Sequence, residues 1–197
     1  MNIVIATCVR TDLKVAVQTA QWVQFQMALR RAAGSVWGQL TWDVVPGNYI
    51  DAQRNFLVEC HREAEAILFL DADVKPPPDA LARLIDLNVP IAAGLCPIDQ
   101  NGVPCWNVTD RVGYRPRQEP LPPGPFTVDR AGTACLLIRR ALVDALPWPW
   151  FLTEIHHATP DDRELLVRSD DEYFCDHARA AGIEIVAHPN VICQHPV

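Results

Sequence analysis

The chain lacks any apolar run near the roughly 18 residues that a membrane span requires. Its apolar stretches, such as Ala66 to Leu70, have the length of a buried strand, so we expect no membrane partner. It lacks an excess of positive charge: Asp and Glu number 24 against 17 Lys and Arg, a formal net charge of −7. Such a chain cannot coat a nucleic acid by bulk charge, which leaves only a local basic groove. It also lacks any Cys-x-x-Cys pair. The seven cysteines (Cys8, Cys60, Cys96, Cys105, Cys135, Cys175 and Cys193) are odd in number and sit mostly in apolar stretches. That argues against a zinc cluster or a disulfide framework and for a reduced, cytoplasmic protein. Cys96 and Cys105 are the one pair placed to bridge a loop. The N-terminus has no basic segment leading into a long apolar stretch, so no signal peptide is expected. The sequon Asn107-Val108-Thr109 then reads as chance. There is no internal repeat and no linker.

What remains is ordinary globular composition, 49% hydrophobic and 21% charged over 197 residues, enough for one domain with a real core. Asn2 to Cys8 reads as a buried strand. A helical pattern runs from Leu13 through Ala16, Ala20, Val23 and Met27 to a stop at Gly34. Leu40 to Val45 is a second strand. A helix capped by Asp51 should reach about Ala64, and Ala66 to Leu70 is a third, central strand. Pro78-Asp79 opens a helix with Leu81, Leu84 and Ile85 on one face, before a strand from Pro90 to Leu95. Cys96 to Thr127 is rich in proline, glycine and polar residues and reads as mostly loop. Ala134 to Ile138 is a strand, followed by a helix from Arg140 to Leu146. Pro147 to Pro160 reads as a long surface loop, Ser169 to Ala181 as a helix, and Ile183 to Ala187 and Val191 to His195 as two final strand-like pieces. The alternation predicts an α/β fold, a sheet rich in parallel strands with helices on both faces.

In such sheets ligands bind beyond the carboxyl ends of the strands. Asp71 and Asp73 stand at the end of the central strand, where two carboxylates one residue apart can turn toward one hard cation. An isolated Asp-x-Asp is more often a solvated polar turn. The segment around it, LFLDADVKPPPDALARLI, resembles that of nucleotide-sugar-dependent glycosyltransferases of the GT-A fold, family 2-like. Three further segments match in order. Asp51-Ala52-Gln53-Arg54-Asn55 resembles the family's Arg-Asn helix start. Val128 to Arg140 resembles its Gly-Thr-Gly strand with a following apolar run and two arginines. Ser169-Asp170-Asp171-Glu172 resembles its acidic helix start, usually Glu-Asp. His195 matches the late histidine. Nearly the whole chain, Ile3 to His195, is spanned.

The resemblance implies a single GT-A domain over residues 1–197, with a mixed sheet. Residues 1–95 would bind the nucleotide sugar, and 96–197 would bind the acceptor and catalyse transfer. It implies Mn²⁺ or Mg²⁺ held by Asp73 and His195, with Asp71 nearby and turned toward the ribose of a nucleoside-diphosphate sugar, a UDP-sugar above all. Asp171 takes the place of the catalytic base and Asp170 that of its acidic neighbour. The helix dipole suits both as ionised groups, although Ser-x-x-Glu alone explains an acidic helix start with no function. Arg54 is placed to meet the diphosphate or base, Thr7, Val9 and Arg10 the nucleobase, and Gly132 and Thr133 the sugar through close backbone. His156 and His157 are neighbours whose side chains point apart, and read as loop histidines. Trp148, Trp150 and Phe151 either line the acceptor pocket or hold their loop to the core.

The acceptor is the least determined. Small stand-alone relatives resemble phage-type enzymes that glycosylate hydroxymethylated bases in DNA. Arg111, Tyr114, Arg115 and Arg117 on one proline-rich stretch suit phosphates and a stacked base. A surface polysaccharide or a small hydroxyl acceptor is the alternative. A nucleotidyltransferase is the rival of another class, although Cys8 to Asp12 is not the glycine-rich basic loop it would carry. A non-catalytic nucleotide-binding module is the third reading.

Overall fold

The computed structural model describes residues 1–10, 39–157 and 165–195. The helix expected from Leu13 to Gly34 lies outside them. Strands β1 (Asn2–Arg10), β2 (Gln39–Gly47) and β3 (Ala66–Leu70) run parallel, with β1 in the middle. Strand β10 (Cys135–Arg139) inserts antiparallel between β3 and β4 (Ile91–Leu95). Beyond β4 lie β13 (Ile185–Ile192), parallel to it, and β8 (Phe126–Val128), antiparallel to β13. The sheet thus has seven strands in the order β2-β1-β3-β10-β4-β13-β8.

β3, β4 and β10 are apolar and almost entirely buried because both faces are covered. Alternation splits their side chains between two cores. On one face Val4, Ile67, Phe69 and Ile138 meet Leu57 and Val58 of α1 (Ile50–Cys60), Leu142 and Val143 of α3 (Arg140–Ala145) and Phe174 of α4 (Asp170–Ala180). On the other, Ile3, Ile5, Leu68 and Leu137 meet Leu81, Leu84 and Ile85 of α2 (Ala80–Asp86).

Four sequence expectations are corrected. Residues 96–127 are not mostly loop: they build β5 (Pro97–Gln100), β6 (Val103–Asp110), β7 (Gly113–Pro116) and part of β8. Pro97 opens its strand, a tolerated place for proline. Asn101 and Gly102 both have positive φ, 54° and 83°, the two-residue Asn-Gly turn of a hairpin. β6 also pairs with the short β9 (Arg130–Ala131). Second, the segment after Pro147 is not a surface loop throughout. Trp150 and Phe151 are buried, and β11 (Glu154–His157) pairs antiparallel with β12 (Leu165–Arg168). Third, α1 starts after Tyr49 and ends at Cys60, with Asp51 in its first turn accepting from Thr153 N at 3.1 Å. Fourth, the two final strand-like pieces are one strand with an irregularity after Ala187. All seven cysteines are free, Cys96 and Cys105 included.

Candidate active site

Four chain segments meet at the carboxyl end of β3. Asp71 leaves the strand with its backbone N–H bonded to Ala134 O at 3.1 Å, and Val74 N closes a turn onto Asp71 O at 3.1 Å. Lys75 and Gln194 then exchange two backbone hydrogen bonds, both 2.8 Å, and Cys193 N bonds Leu95 O at 2.8 Å. These bonds fasten the segment after β13 against the aspartate turn. They bring His195 Nε2 to 3.4 Å from Asp73 Oδ2. His195 Nδ1 is buried with no hydrogen-bond partner.

Gly132 and Thr133 enter from the other side. Gly132 N donates to Asn107 O at 2.8 Å. The Asn107 side chain accepts from Cys96 N at 2.7 Å and donates to Gly132 O at 3.4 Å. This buried amide ties β6 to the glycine turn and was invisible as a site residue in the sequence, where it reads only as a sequon. A Cβ on Gly132 would sit 3.4 Å from Asp171 Oδ2, so the bare backbone there leaves room beside that carboxylate.

The acidic residues come from the start of α4. Ser169 N donates to Glu172 Oε2 at 3.2 Å, one arm of the capping box. Asp171 Oδ1 accepts from Ser169 Oγ and from Glu172 N, the latter at 2.9 Å. Asp170 turns the other way, into the core, and is 4% exposed. There Arg54 Nη1 donates to Asp170 Oδ2, while Arg54 Nη2 lies 3.5 Å from Asp71 Oδ1. Arg54 is itself 6% exposed. It is not a surface arginine.

Electrostatics follow from this crowding. Burial pushes the Asp71 carboxyl above its ordinary value. Arg54 pulls it back, and Asp73, Asp171 and Asp170 push it up again. Burial likewise raises Asp170 against the pull of Arg54. Burial disfavours the charged Arg54, but Asp170 and Asp71 outweigh it and raise its pKa.

One cleft of about 240 Å³ is lined by Arg54, Asp71, Gly132, Thr133, Asp171 and His195 among others. Its further wall comes from the small sheet, with Ile98, Thr109 and Tyr114. Burial, then Glu172 and Asp171, raise the Tyr114 phenol. Asp73 does not line the cleft itself but meets His195, which does. Thr7 is not brought there: it is fully buried in β1 and accepts from Trp42 Nε1 at 3.2 Å. Arg10 ends β1, and its side chain lies outside the described residues, as do those of His156 and His157. Trp150 donates to Val143 O at 3.0 Å inside the core, and Trp148 is 71% exposed. Of the basic stretch, Arg115 pairs with Asp110 at 3.9 Å and covers the Phe126 ring at 5.2 Å. Only Tyr114 of that group faces the cleft.

Behind α4 lies a network the sequence did not announce. Arg130 reaches both oxygens of Asp176 at 2.8 Å and Glu172 Oε1 at 2.7 Å. Arg168 bonds Asp176 at 2.9 Å and Glu154 at 2.8 Å. It locks the acidic helix to β9 and to the β11–β12 hairpin.

No protein family and no curated protein matches the chain in sequence. Solved structures do match in shape. "A197 from STIV" is 14% identical with a TM-score of 0.64, covering 100% of this chain and 86% of that one. "GalNAc-T7 with UDP, GalNAc and Mn2+" is 10% identical with a TM-score of 0.60, covering 99% of this chain and 44% of that one. The inositol-1-phosphate CTP transferase from T. maritima is 14% identical with a TM-score of 0.52, covering 100% and 89%. The fold is GT-A-like. The chain spans under half the length of the GalNAc-T7 chain. Among the described residues no helix is long and apolar enough to cross a membrane.

Proposed function

We propose that the protein is a glycosyltransferase that moves a sugar from a nucleoside-diphosphate sugar to an acceptor hydroxyl. One observation carries the reading: Asp71, Asp171, His195 and the Gly132–Thr133 backbone, far apart in sequence, line a single cleft at the strand ends. Asp171 is the base. It takes the proton of the acceptor hydroxyl, whose oxygen attacks the anomeric carbon as the bond to the diphosphate oxygen breaks. The diphosphate leaves with the electron pair, and the outcome is inversion. Gly132 and Thr133 approach the sugar through backbone, and Asp71 meets the ribose.

The donor set fits a hard divalent cation, Mn²⁺ or Mg²⁺. Asp73 Oδ2 and His195 Nε2 offer a carboxylate and an imidazole 3.4 Å apart. Among the described residues no group of three or more His, Cys, Asp or Glu is gathered for a metal. Asp73 and His195 would therefore share the ion with donor phosphates, a common arrangement for such cations. Bound there, the ion would stabilise charge on the departing diphosphate. UDP-sugars are the first donors to try. The structure of GalNAc-T7 with UDP, GalNAc and Mn²⁺ supports that choice.

The test is release of nucleoside diphosphate from a panel of nucleotide sugars, with Mn²⁺ or with EDTA, each run with and without hydroxymethylated DNA. Metal-dependent release from one donor is expected. Stimulation by the DNA selects a modified base as acceptor, and its absence points to a saccharide or small hydroxyl. A second reading, nucleotidyl transfer, is favoured by the likeness to the CTP transferase. It requires pyrophosphate release from CTP with a sugar phosphate or inositol phosphate, and no turnover of nucleotide sugars.

A further inference from the structure

We propose that Arg54 is a positioning residue that sets the gap between the donor side and the base side of the cleft, rather than a ligand of the donor phosphates. The proposal rests on the transfer reading above. Arg54 reaches the end of β3 through Asp71 and the start of α4 through Asp170, which lies 116 residues from Arg54 in sequence. Its two terminal nitrogens face one carboxylate each, so its charge is already neutralised before any phosphate arrives. A guanidinium suits this because its donors are held in a rigid fork, which a single ammonium cannot reproduce.

A second chain of contacts joins the same two elements. Phe69 of β3 meets Phe151 edge-on at 5.2 Å, and Phe151 stacks on Phe174 of α4 at 4.7 Å. Arg54 Cζ lies 6.0 Å from the centre of the Phe151 ring, between the ionic chain and the aromatic one. The neighbouring Asn55 fixes that ring's backbone: it donates to Phe151 O at 2.6 Å and accepts from Trp150 N at 3.0 Å and Phe151 N at 3.2 Å. The Arg54-Asn55 dipeptide thus sets both chains from one turn of α1. Asp170, held on Arg54, is adjacent in the chain to Asp171. Loss of the guanidinium frees the start of α4 and moves the base relative to the sugar.

The test uses Arg54→Met, Asp170→Asn and the double variant in the full chain, with Arg54→Lys as the conservative form. In thermal unfolding, Arg54→Met should lower Tm by about 10 °C by leaving two carboxylates unpaired. The double variant should lose less than the two single losses combined, by about 5 °C. Additive losses would overturn the ionic chain. In donor turnover, Arg54→Lys should fold and lower kcat by about tenfold or more while donor KM changes by no more than about threefold. UDP binding in Mn²⁺ should likewise stay within about threefold of the parent protein. A rise of about tenfold or more in the UDP dissociation constant would instead make Arg54 a phosphate ligand and sink the proposal. If the parent protein neither binds UDP nor turns over any nucleotide sugar, the transfer reading fails on its own. The unfolding cycle still decides whether Arg54 and Asp170 are coupled.

Discussion

At the start of α4, Asp170 turns its carboxylate into the core onto Arg54, while Asp171 keeps Oδ2 beside Gly132 and the cleft. The two substitutions should therefore separate. Asp171→Asn should leave UDP affinity within about threefold and cut transfer by about 10²- to 10⁴-fold. Calorimetric titration and product formation measure the two effects, and full transfer by this variant would remove Asp171 as base. Asp73→Ala should abolish Mn²⁺-dependent UDP binding while leaving the fold intact, because its side chain is half exposed. Equal UDP affinity in Mn²⁺ and EDTA for the parent protein would count against a metal at Asp73. The acidic and histidine residues were legible as motifs because their chemistry recurs in fixed order. Thr7, expected beside the nucleobase, is buried within β1 against Trp42 and does not line this cleft, and a strand threonine that faces a tryptophan looks the same in sequence as one that faces a ligand. Asn107 was missed because a buried amide joining two backbone segments has no local pattern.

At the scale of elements, β4 depends on a missing side chain. A Cβ on Gly94 would lie 2.9 Å from Cys135 Sγ and 3.0 Å from Val191 Cγ1, with both neighbours fully buried. Gly94→Ala should cost about 1–3 kcal/mol by overpacking, and Gly94→Ala with Cys135→Ala should recover part of it in denaturant unfolding. The position of α4 depends on charge instead. Burial opposes ionisation of Asp176, but hydrogen bonding and charge from Arg130, then Arg168, outweigh it and hold the carboxyl below its ordinary 3.8. A carboxyl lowered on folding contributes stability above 3.8 that is lost as pH falls through the folded value. The Tm difference between the parent protein and Asp176→Asn should therefore be full near neutrality and close on acidification. A constant difference across pH would assign the effect to packing. Helices α2, α3 and α4 were legible from apolar spacing and helix-start residues, and the central strands from short continuous apolar runs. The small sheet was not, because prolines in 97–127 suppress the strand signal, and only the Asn101-Gly102 turn betrays a hairpin.

Across the whole molecule, Phe151 is the residue on which the two halves of the site converge. It is fully buried, touches Phe69 and Phe174, and is held by Asn55. Phe151→Ala should cost about 3–5 kcal/mol in equilibrium unfolding. It belongs to a segment that reads as surface loop, since aromatics in a proline-rich stretch carry no periodicity to say which way they face. The sequence by itself determined the α/β class, the central apolar strands, and the order of the acidic, glycine and histidine segments, because these follow from local periodicity and residue chemistry. Only the tertiary structure decided that Arg54 is buried between two carboxylates, that Asp170 and Asp171 face opposite ways, and that 97–116 forms a wall of the cleft. Those outcomes depend on partners tens of residues apart, whose meeting is set by the packing of both sheet faces rather than by any stretch of chain alone.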